Sequence, residues 1–172
     1  MKDIIRNKEN LAYFNSNIFK KLTKLAENSD LFRSRICIHT NNIAKTNEMI
    51  IALKRGSYIR PHTHPNFKSE SYHIIKGSMT VFVFNKKGDL QKKIKMGEVR
   101  TGLNFYYRMS KSYYHMPVAT SKYCIYHETY SGPFYKEKDV IFPKWSPNYH
   151  DKEKYLKFLK KNKLTRYFND KK

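Results

Sequence analysis

The sequence predicts an all-β fold, a small antiparallel barrel with one helix before it and one after it. Short β-rich runs follow one another from about residue 33 to 130, turn sequences separate several of them, and apolar residues at helical spacing occur at the two ends. Many short strands joined by hairpin loops are typical of a sandwich or barrel. The chain of 172 residues has no internal repeat or low-complexity linker, and we therefore expect one domain over residues 1–172.

The first predicted element is a helix over residues 16–28. Its sequence, SNIFKKLTKLAEN, has apolar residues at helical spacing, and Ser16 stands at the N-cap position. The preceding MKDIIRNKEN mixes charges from its second residue and lacks an apolar core, so we read no signal peptide. No apolar run approaches the roughly 18 residues of a membrane span. We expect a cytoplasmic protein.

The predicted barrel covers about residues 33–130. Its strands are the runs RSRICIH, EMIIALKR, SYIRPH, SYHIIKG, MTVFVFN, LQKKIKM, NFYYRM, YYHMPVA and KYCIYHETY. Glycine-containing turns separate several of them, at Arg55–Gly56, at residues 85–89 and at Met96–Gly97. Cys37 and Cys124 lie far apart in apolar or aromatic stretches, without metal-finger spacing, and are predicted to be small core residues.

Residues 131–172 are predicted to form a proline- and aromatic-rich loop followed by a basic helix. The helical pattern, DKEKYLKFLKKNK, places Tyr155, Phe158 and Leu159 on one face. We expect this face to dock on the barrel and the lysines to remain in water.

The formal net charge of +21, from 35 basic and 14 acidic residues, favours an anionic partner. The lysines are spread along the chain, as a biased composition would also produce, and the sequence has no nucleic-acid-binding motif. We therefore expect an anionic small molecule rather than nucleic acid.

One stretch, RPHTHPNFKSESYHIIKG, contains candidate metal ligands. On a strand, residues two apart point to the same side, so His62 and His64 can aim at one point. Glu70 begins the next β run, and His115 in a later strand can complete the set. His73 lies three residues from Glu70 and is predicted to face the other side. The alternative is that these are solvated strand residues near a turn.

The same stretch resembles the first cupin motif, in which a glycine, five residues, His-x-His, a short spacer, a glutamate, six residues and a glycine follow one another. Gly56, His62, His64, Glu70 and Gly77 occupy these positions, with a spacer of five residues before the glutamate. In the second cupin motif proline and glycine normally precede the histidine. This chain has Ser110 and Ser112 there, with His115 at the histidine position.

The resemblance extends to the WbuC family of cupin-fold metalloproteins. The similar segments are RSRICIH, SYIRPHTHP, ESYHIIKGSMTVFVFNKKGDL and ETYSGPFYKEKDVIFPKWSP, which together lie between about residues 30 and 150. The resemblance implies a single-domain metal-binding cupin, often encoded with enzymes of surface-polysaccharide (O-antigen) biosynthesis. It implies no defined reaction. Cupins commonly form dimers, and we expect a homodimer.

Three imidazoles and one carboxylate suit one divalent transition metal, Fe, Mn, Ni, Co or Zn, with positions left for a substrate. Isomerisation or epimerisation of a sugar or nucleotide sugar is the favoured reaction. Tyr58 and Arg60 share strand parity with the histidines. Tyr58, or a hydroxide on the metal, is the candidate base, and Arg60 is the candidate residue for binding an anionic group. Arg60 would instead face solvent if the strand twists at Pro61.

Two other functions remain open at this stage. An Fe(II)-dependent oxygenase can use the same ligands, and a non-catalytic cupin can bind a sugar or metabolite without turnover. A further open question concerns Arg33, Arg35, Cys37 and His39, which share one strand parity. They form either an unusually polar pocket face or an outer basic edge.

Overall fold

The structure is a computed structural model that describes residues 3–168. Over these residues the chain forms nine strands, three α-helices and two single-turn 3-10 helices. The strands are β1 Ile4–Arg6, β2 Arg33–Cys37, β3 Thr46–Lys54, β4 Glu70–Lys76, β5 Ser78–Phe84, β6 Leu90–Gly97, β7 Tyr106–Met109, β8 Tyr114–Ala119 and β9 Tyr123–Ser131. The helices are α1 Asn17–Glu27, α2 Lys136–Asp139 and α3 Lys152–Lys161. The chain is therefore rich in strands, with its longer helices near the two ends.

The strands form two separate sheets. A six-stranded sheet has the order β1-β2-β3-β9-β4-β7, and a three-stranded sheet has the order β6-β5-β8. β1 pairs in parallel with β2, and the other ladders are antiparallel. The predicted antiparallel β architecture is confirmed, but among residues 3–168 no continuous ladder joins the two sheets, so the barrel is not closed.

The predicted strand SYIRPH does not form, so it adds no ladder between the two sheets. Residues 57–61 form no strand, and beyond them His62 makes only an isolated bridge to His115 on β8. Pro61 has no backbone N–H to donate to a ladder, which limits pairing at this point. The segment stays extended and lies where the two sheets approach each other.

The six-stranded sheet has two different faces. Ile50 and Ala52 of β3 pack with Leu22 and Ala26 of α1, which covers the outer face. The alternate residues Ile51 and Leu53 belong to the buried cluster between the sheets, which forms the inner face. α1 begins at Asn17, whose N–H is accepted by the side chain of Asn15, whereas the Ser16 side chain makes no capping bond.

The outer face of the three-stranded sheet is covered by the C-terminal part of the chain. Phe82 and Met116 of this sheet pack with Tyr155, Phe158 and Leu159 of α3. Asp151 caps α3 by accepting a hydrogen bond from the N–H of Lys154. Both sheets therefore have one face on the shared interior and one face under a helix.

Candidate metal centre

Four predicted ligands meet at one end of the interior. The ligand atoms of His62, His64, Glu70 and His115 all lie within 4.8 Å of one another. Glu70 is the first residue of β4 in the six-stranded sheet, and His115 lies on β8 in the three-stranded sheet. The group therefore joins the two sheets through their side chains.

The two nearby histidines are placed by the extended segment before β4. The N–H of His62 donates to the carbonyl of His115 at 3.2 Å, and the N–H of His115 donates back to His62 at 2.9 Å. Thr63 exchanges a similar pair of backbone bonds with Ile141, at 2.9 Å each. Because Thr63 is held from the other side, His62 and His64 both turn inward although they lie outside a regular strand.

The orientation of the three imidazole rings is set by backbone carbonyls. The Nδ1 atoms of His62, His64 and His115 lie 2.9, 2.6 and 3.0 Å from the carbonyl oxygens of Arg60, Asp139 and Tyr113. A carbonyl only accepts, so each Nδ1 carries the proton and each Nε2 keeps its lone pair. Metal-binding histidines are commonly held by this kind of second hydrogen bond.

Several atoms at the centre of the group have no hydrogen-bond partner among the described residues. These are Nε2 of His64, Nε2 of His115 and Oε2 of Glu70, all buried. His64 Nε2 lies 3.3 Å from Oε1 of Glu70, and His115 Nε2 lies 3.1 Å from Oε2. Buried polar atoms without hydrogen bonds are costly, and a divalent ion among them would satisfy all three. The donor set therefore fits a metal.

The charges of the group also suit a cation. Burial raises the pKa of Glu70, but His115 and His64 outweigh it and hold that pKa well below its usual range. Burial, reinforced by His115 and His64, lowers the pKa of His62 to about 3. Burial also lowers the pKa of His64, yet contact with the Glu70 carboxylate raises it overall. Glu70 is thus ionised and His62 neutral, as metal binding requires.

Tyr58 lies in an apolar setting rather than among the ligands. Its hydroxyl donates to the carbonyl of Pro147 at 3.0 Å, and its ring packs edge-on against Tyr155. Burial raises the pKa of Tyr58 above its ordinary value. The proposed role of Tyr58 as a base stays a prediction. These surroundings disfavour it, because a hydroxyl that keeps its proton and donates it to a carbonyl cannot accept another proton.

Arg60 faces the loop that precedes α3. Its Nε and Nη2 donate to the carbonyl of Ser146 at 3.1 and 2.8 Å, and its guanidinium lies 4.3 Å from the ring centroid of Phe142. The ring of Phe142 in turn lies 6.2 Å from that of His62. Arg60 is therefore one aromatic ring away from the ligands, and its predicted role in binding an anion remains a prediction.

Arg60 also lines a groove of about 560 Å³ on the surface between α3 and the loop before it. Six cationic side chains and one acidic side chain line this groove. The cations are Arg60, Lys87, Lys144, Lys154, Lys157 and Lys161. Lys154 and Lys161 form ion pairs with Asp151 and Asp89, both at 2.7–2.8 Å, so part of the charge is already balanced.

Glu128 lies on the inner face and was not among the predicted site residues. Glu128 of β9 is in register with Met49 of β3 and Tyr72 of β4, both of which pack in the interior. The signal was the alternation in KYCIYHETY, which puts Glu128 on the same face as Tyr126.

The structure also answers the open question about β2. Arg33 and Arg35 are in register with Leu53 and Ile51, so both stand on the inner face, Arg35 at its exposed edge. Cys37 and Cys124 are both buried, with free thiols. His73 is exposed and contacts Phe105, away from the ligands.

The comparisons with known proteins concern part of the sequence and the overall fold. A family model described as "Domain of unknown function (DUF6016)" matches residues 14–96, which is less than half of the chain. No curated protein matches the chain. The resemblance to the WbuC family is not shown by these matches and stays a hypothesis.

Solved structures support the fold. Protein SO0799 from Shewanella oneidensis is 13% identical over 76% of this chain and 85% of its own, with a TM-score of 0.53. The conserved SPY1581 protein of unknown function from Streptococcus pyogenes is 13% identical over 76% of this chain and 96% of its own, with a TM-score of 0.50. At such identities the likeness concerns the fold alone.

A third structure, the Cnp3 cupin domain from Schizosaccharomyces pombe, is 12% identical over 58% of this chain and 64% of its own. Its TM-score of 0.43 is too low to support a conclusion. The strand-rich architecture and the His62, His64, Glu70 and His115 cluster nevertheless fit a cupin fold with a possible metal site.

Among residues 3–168, no helix is long and apolar enough to cross a membrane.

Proposed function

We propose that the protein is a metal-dependent cupin enzyme that isomerises or epimerises a sugar bearing a phosphate or diphosphate, such as a nucleotide sugar. The observation that carries this proposal is the set of buried lone pairs from His64, His115 and Glu70, which converge without hydrogen-bond partners. A site of this kind has a function because unsatisfied buried polar atoms would otherwise only destabilise the fold.

The donor set indicates which metals suit the site. Three neutral imidazoles and a carboxylate suit Fe, Mn, Ni, Co or Zn better than Mg or Ca, which prefer oxygen. When bound, such an ion supplies a Lewis acid that polarises a carbonyl oxygen of the substrate. His62, His64, Glu70 and His115 would hold it, and their hydrogen-bonded rings keep the neutral form.

The basic groove supports the anionic part of the substrate. Arg60 lines the groove, and its stacking partner Phe142 packs against the ligand His62. A sugar at the metal centre can thus extend a phosphate or diphosphate past Arg60 towards Lys87 and Lys144. Positive charge concentrated in a groove raises the local concentration of anions.

The role in surface-polysaccharide biosynthesis and the homodimer are also part of this proposal. Both rest on the resemblance of the chain to the WbuC family and to cupins in general, together with the choice of a sugar as substrate. The metal site and the groove do not depend on either.

A thermal-shift experiment tests the substrate class. The metal-loaded protein is heated with UDP-glucose, dTDP-rhamnose, free glucose, a 2-keto acid or a short oligonucleotide. We expect the nucleotide sugars to raise the Tm most, because a ligand that binds only the folded state stabilises it by mass action. The shift should shrink in high salt, after metal removal and in Arg60→Gln.

The matched control is Arg55→Gln, which removes an exposed arginine outside the groove and should leave the shift unchanged. Stabilisation by the oligonucleotide alone, independent of metal, would contradict the proposal and favour a nucleic-acid-binding module. Iron-specific oxygen consumption with a bound substrate would instead identify an oxygenase. Binding of a sugar without any turnover would identify a non-catalytic cupin.

A further inference from the structure

Glu128 is a carboxylate that neither the metal ligands nor the packing of the interior explains. It stands on the inner face between Met49 and Tyr72, is half-buried, and forms no ion pair with any residue in 3–168. The buried cluster beside it is apolar or aromatic, and Arg33 and Arg35 of β2 stand on the same face. A carboxylate in such a place costs stability, so its presence indicates a function.

The position of Glu128 brings it beside the metal centre. Along β9 it lies two residues before Tyr130, which is in register with the ligand Glu70 and whose ring lies 4.9 Å from that of His64. Two residues of a strand span roughly 7 Å. Glu128 therefore lies on the same face as Glu70, two residues along the strand from the residue in register with it.

The pKa of Glu128 is subject to opposing effects from its surroundings. Burial, then the Glu70 carboxylate, raise the pKa of Glu128 to about 8, against the opposing effect of Arg35, His64 and Arg33. Arg35 stands on the same face, and its side chain is exposed.

We propose that Glu128 is the catalytic residue that transfers the substrate's proton at this site. This inference rests on the proposed function, because it assigns a residue to proton transfer next to the metal centre. It replaces Tyr58 in that role, since the Tyr58 hydroxyl is hydrogen-bonded to Pro147 in an apolar cluster.

Glu128 and the substrate balance the proton transfer for the isomer, and solvent water also takes part for the epimer. The Glu128 carboxylate takes the proton from the carbon beside the substrate's carbonyl. The C–H electron pair becomes the π bond between the two carbons, and the carbonyl π pair becomes a lone pair on its oxygen. For the epimer, a water molecule on the opposite face protonates the same carbon, and Glu128 releases its proton to solvent. Return of the proton to the neighbouring carbon, with a hydroxyl proton moving to the second oxygen, gives the isomer.

Hydrogen–deuterium exchange tests the assignment. The protein loaded with Mn or Zn is incubated in D2O with fructose 6-phosphate, ribulose 5-phosphate or dTDP-4-keto-6-deoxyglucose, and loss of the C–H signal is followed by NMR. We expect Glu128→Gln to slow the exchange by at least about a hundredfold, the lower range for general acid–base catalysis. Metal content and the Tm shift caused by the probe should stay as in the wild type. Glu128→Asp, which withdraws the carboxylate by one methylene, should fall between the two.

The matched control is Glu48→Gln. Glu48 lies on β3 of the same sheet, one residue before the Glu128 partner Met49, and pairs with His127 at 3.4 Å. Its loss should change the exchange rate by less than about threefold, within the small effect of a surface ion pair. Exchange that survives Glu128→Gln would overturn the inference alone, as would a parallel loss of metal and probe binding. A wild-type protein that exchanges none of the three probes would overturn the proposed function, and the assignment of Glu128 with it.

Discussion

The two ends of the interior between the sheets are built from the same strands but differ in chemistry. On β4, Glu70 lies at one end and Ile74 four residues later; on β8, His115 and Ala119 are related in the same way. At one end Leu53, with Met79, Met96 and Cys124 around it, is sealed by apolar contacts. At the other end buried nitrogen and oxygen atoms lack partners.

The apolar end of the interior therefore stabilises the fold, whereas the polar end of the same strands is the candidate functional site. Apolar side chains at the first end stabilise the fold simply by leaving water. The polar end gains nothing from burial, because imidazoles and a carboxylate lose their hydration there. A bound ion reverses that balance, so the polar end should respond to ligands and the apolar end should not.

The largest expected effect is a loss of stability from a substitution at the apolar end. Leu53 is fully buried, and Leu53→Ala should lower the free energy of unfolding by about 2–5 kcal/mol, from lost burial and the cavity that remains. Denaturant unfolding measures this change. The folded variant should still take up metal with the stoichiometry of the wild type, because none of the four ligands changes. Loss of metal uptake in folded Leu53→Ala would show that the two ends are not independent.

A smaller expected effect concerns the polar end, where the stability should depend on pH. The pKa of Glu128 is raised from 4.5 to about 8, so the folded metal-free protein holds this proton more tightly than the unfolded chain does. The resulting stability is present in full below pH about 4.5 and is lost as the pH rises through about 8. Glutamine never ionises, and Glu128→Gln should therefore be more stable than the wild type at high pH and about equal at pH 4.5.

Solvent reaches Glu128 in part, so we expect a gain of only about 1 kcal/mol at pH 9, or about 2–4 °C in Tm. Thermal unfolding of the metal-free proteins at pH 4.5, 7 and 9 measures it. A gain that is the same at all three pH values would show that it does not come from the ionisation of Glu128. Glu48→Gln again serves as the control.

The sequence was sufficient to predict most of this candidate site because three of its four residues lie close together in the chain. His62, His64 and Glu70 lie within nine positions of one another, and the structure brings them together with His115. The exclusion of His73 followed from strand parity, and the structure leaves that residue exposed on the other face.

Features set by distant residues could not be predicted in this way. Parity placed Tyr58 and Arg60 beside the ligands, but contacts with Pro147 and Ser146, more than 80 positions away, decide where their polar groups point. The separation of the two sheets likewise depends on how the extended segment before His62 meets β8. Glu128 looked like one more residue of an alternating strand, since only the fold shows what lies opposite it.

The most direct test of the metal centre is the metal content of the purified protein. Elemental analysis is done on the wild type, on His115→Ala and on the matched control His73→Ala after exposure to Mn, Fe, Ni, Co and Zn. We predict about one divalent ion per chain in the wild type and in His73→Ala. In His115→Ala the affinity should be at least about tenfold weaker, the low end of what even changes behind the ligands cost. A wild-type protein that takes up none of the five metals, or equal losses in the two variants, would contradict the account.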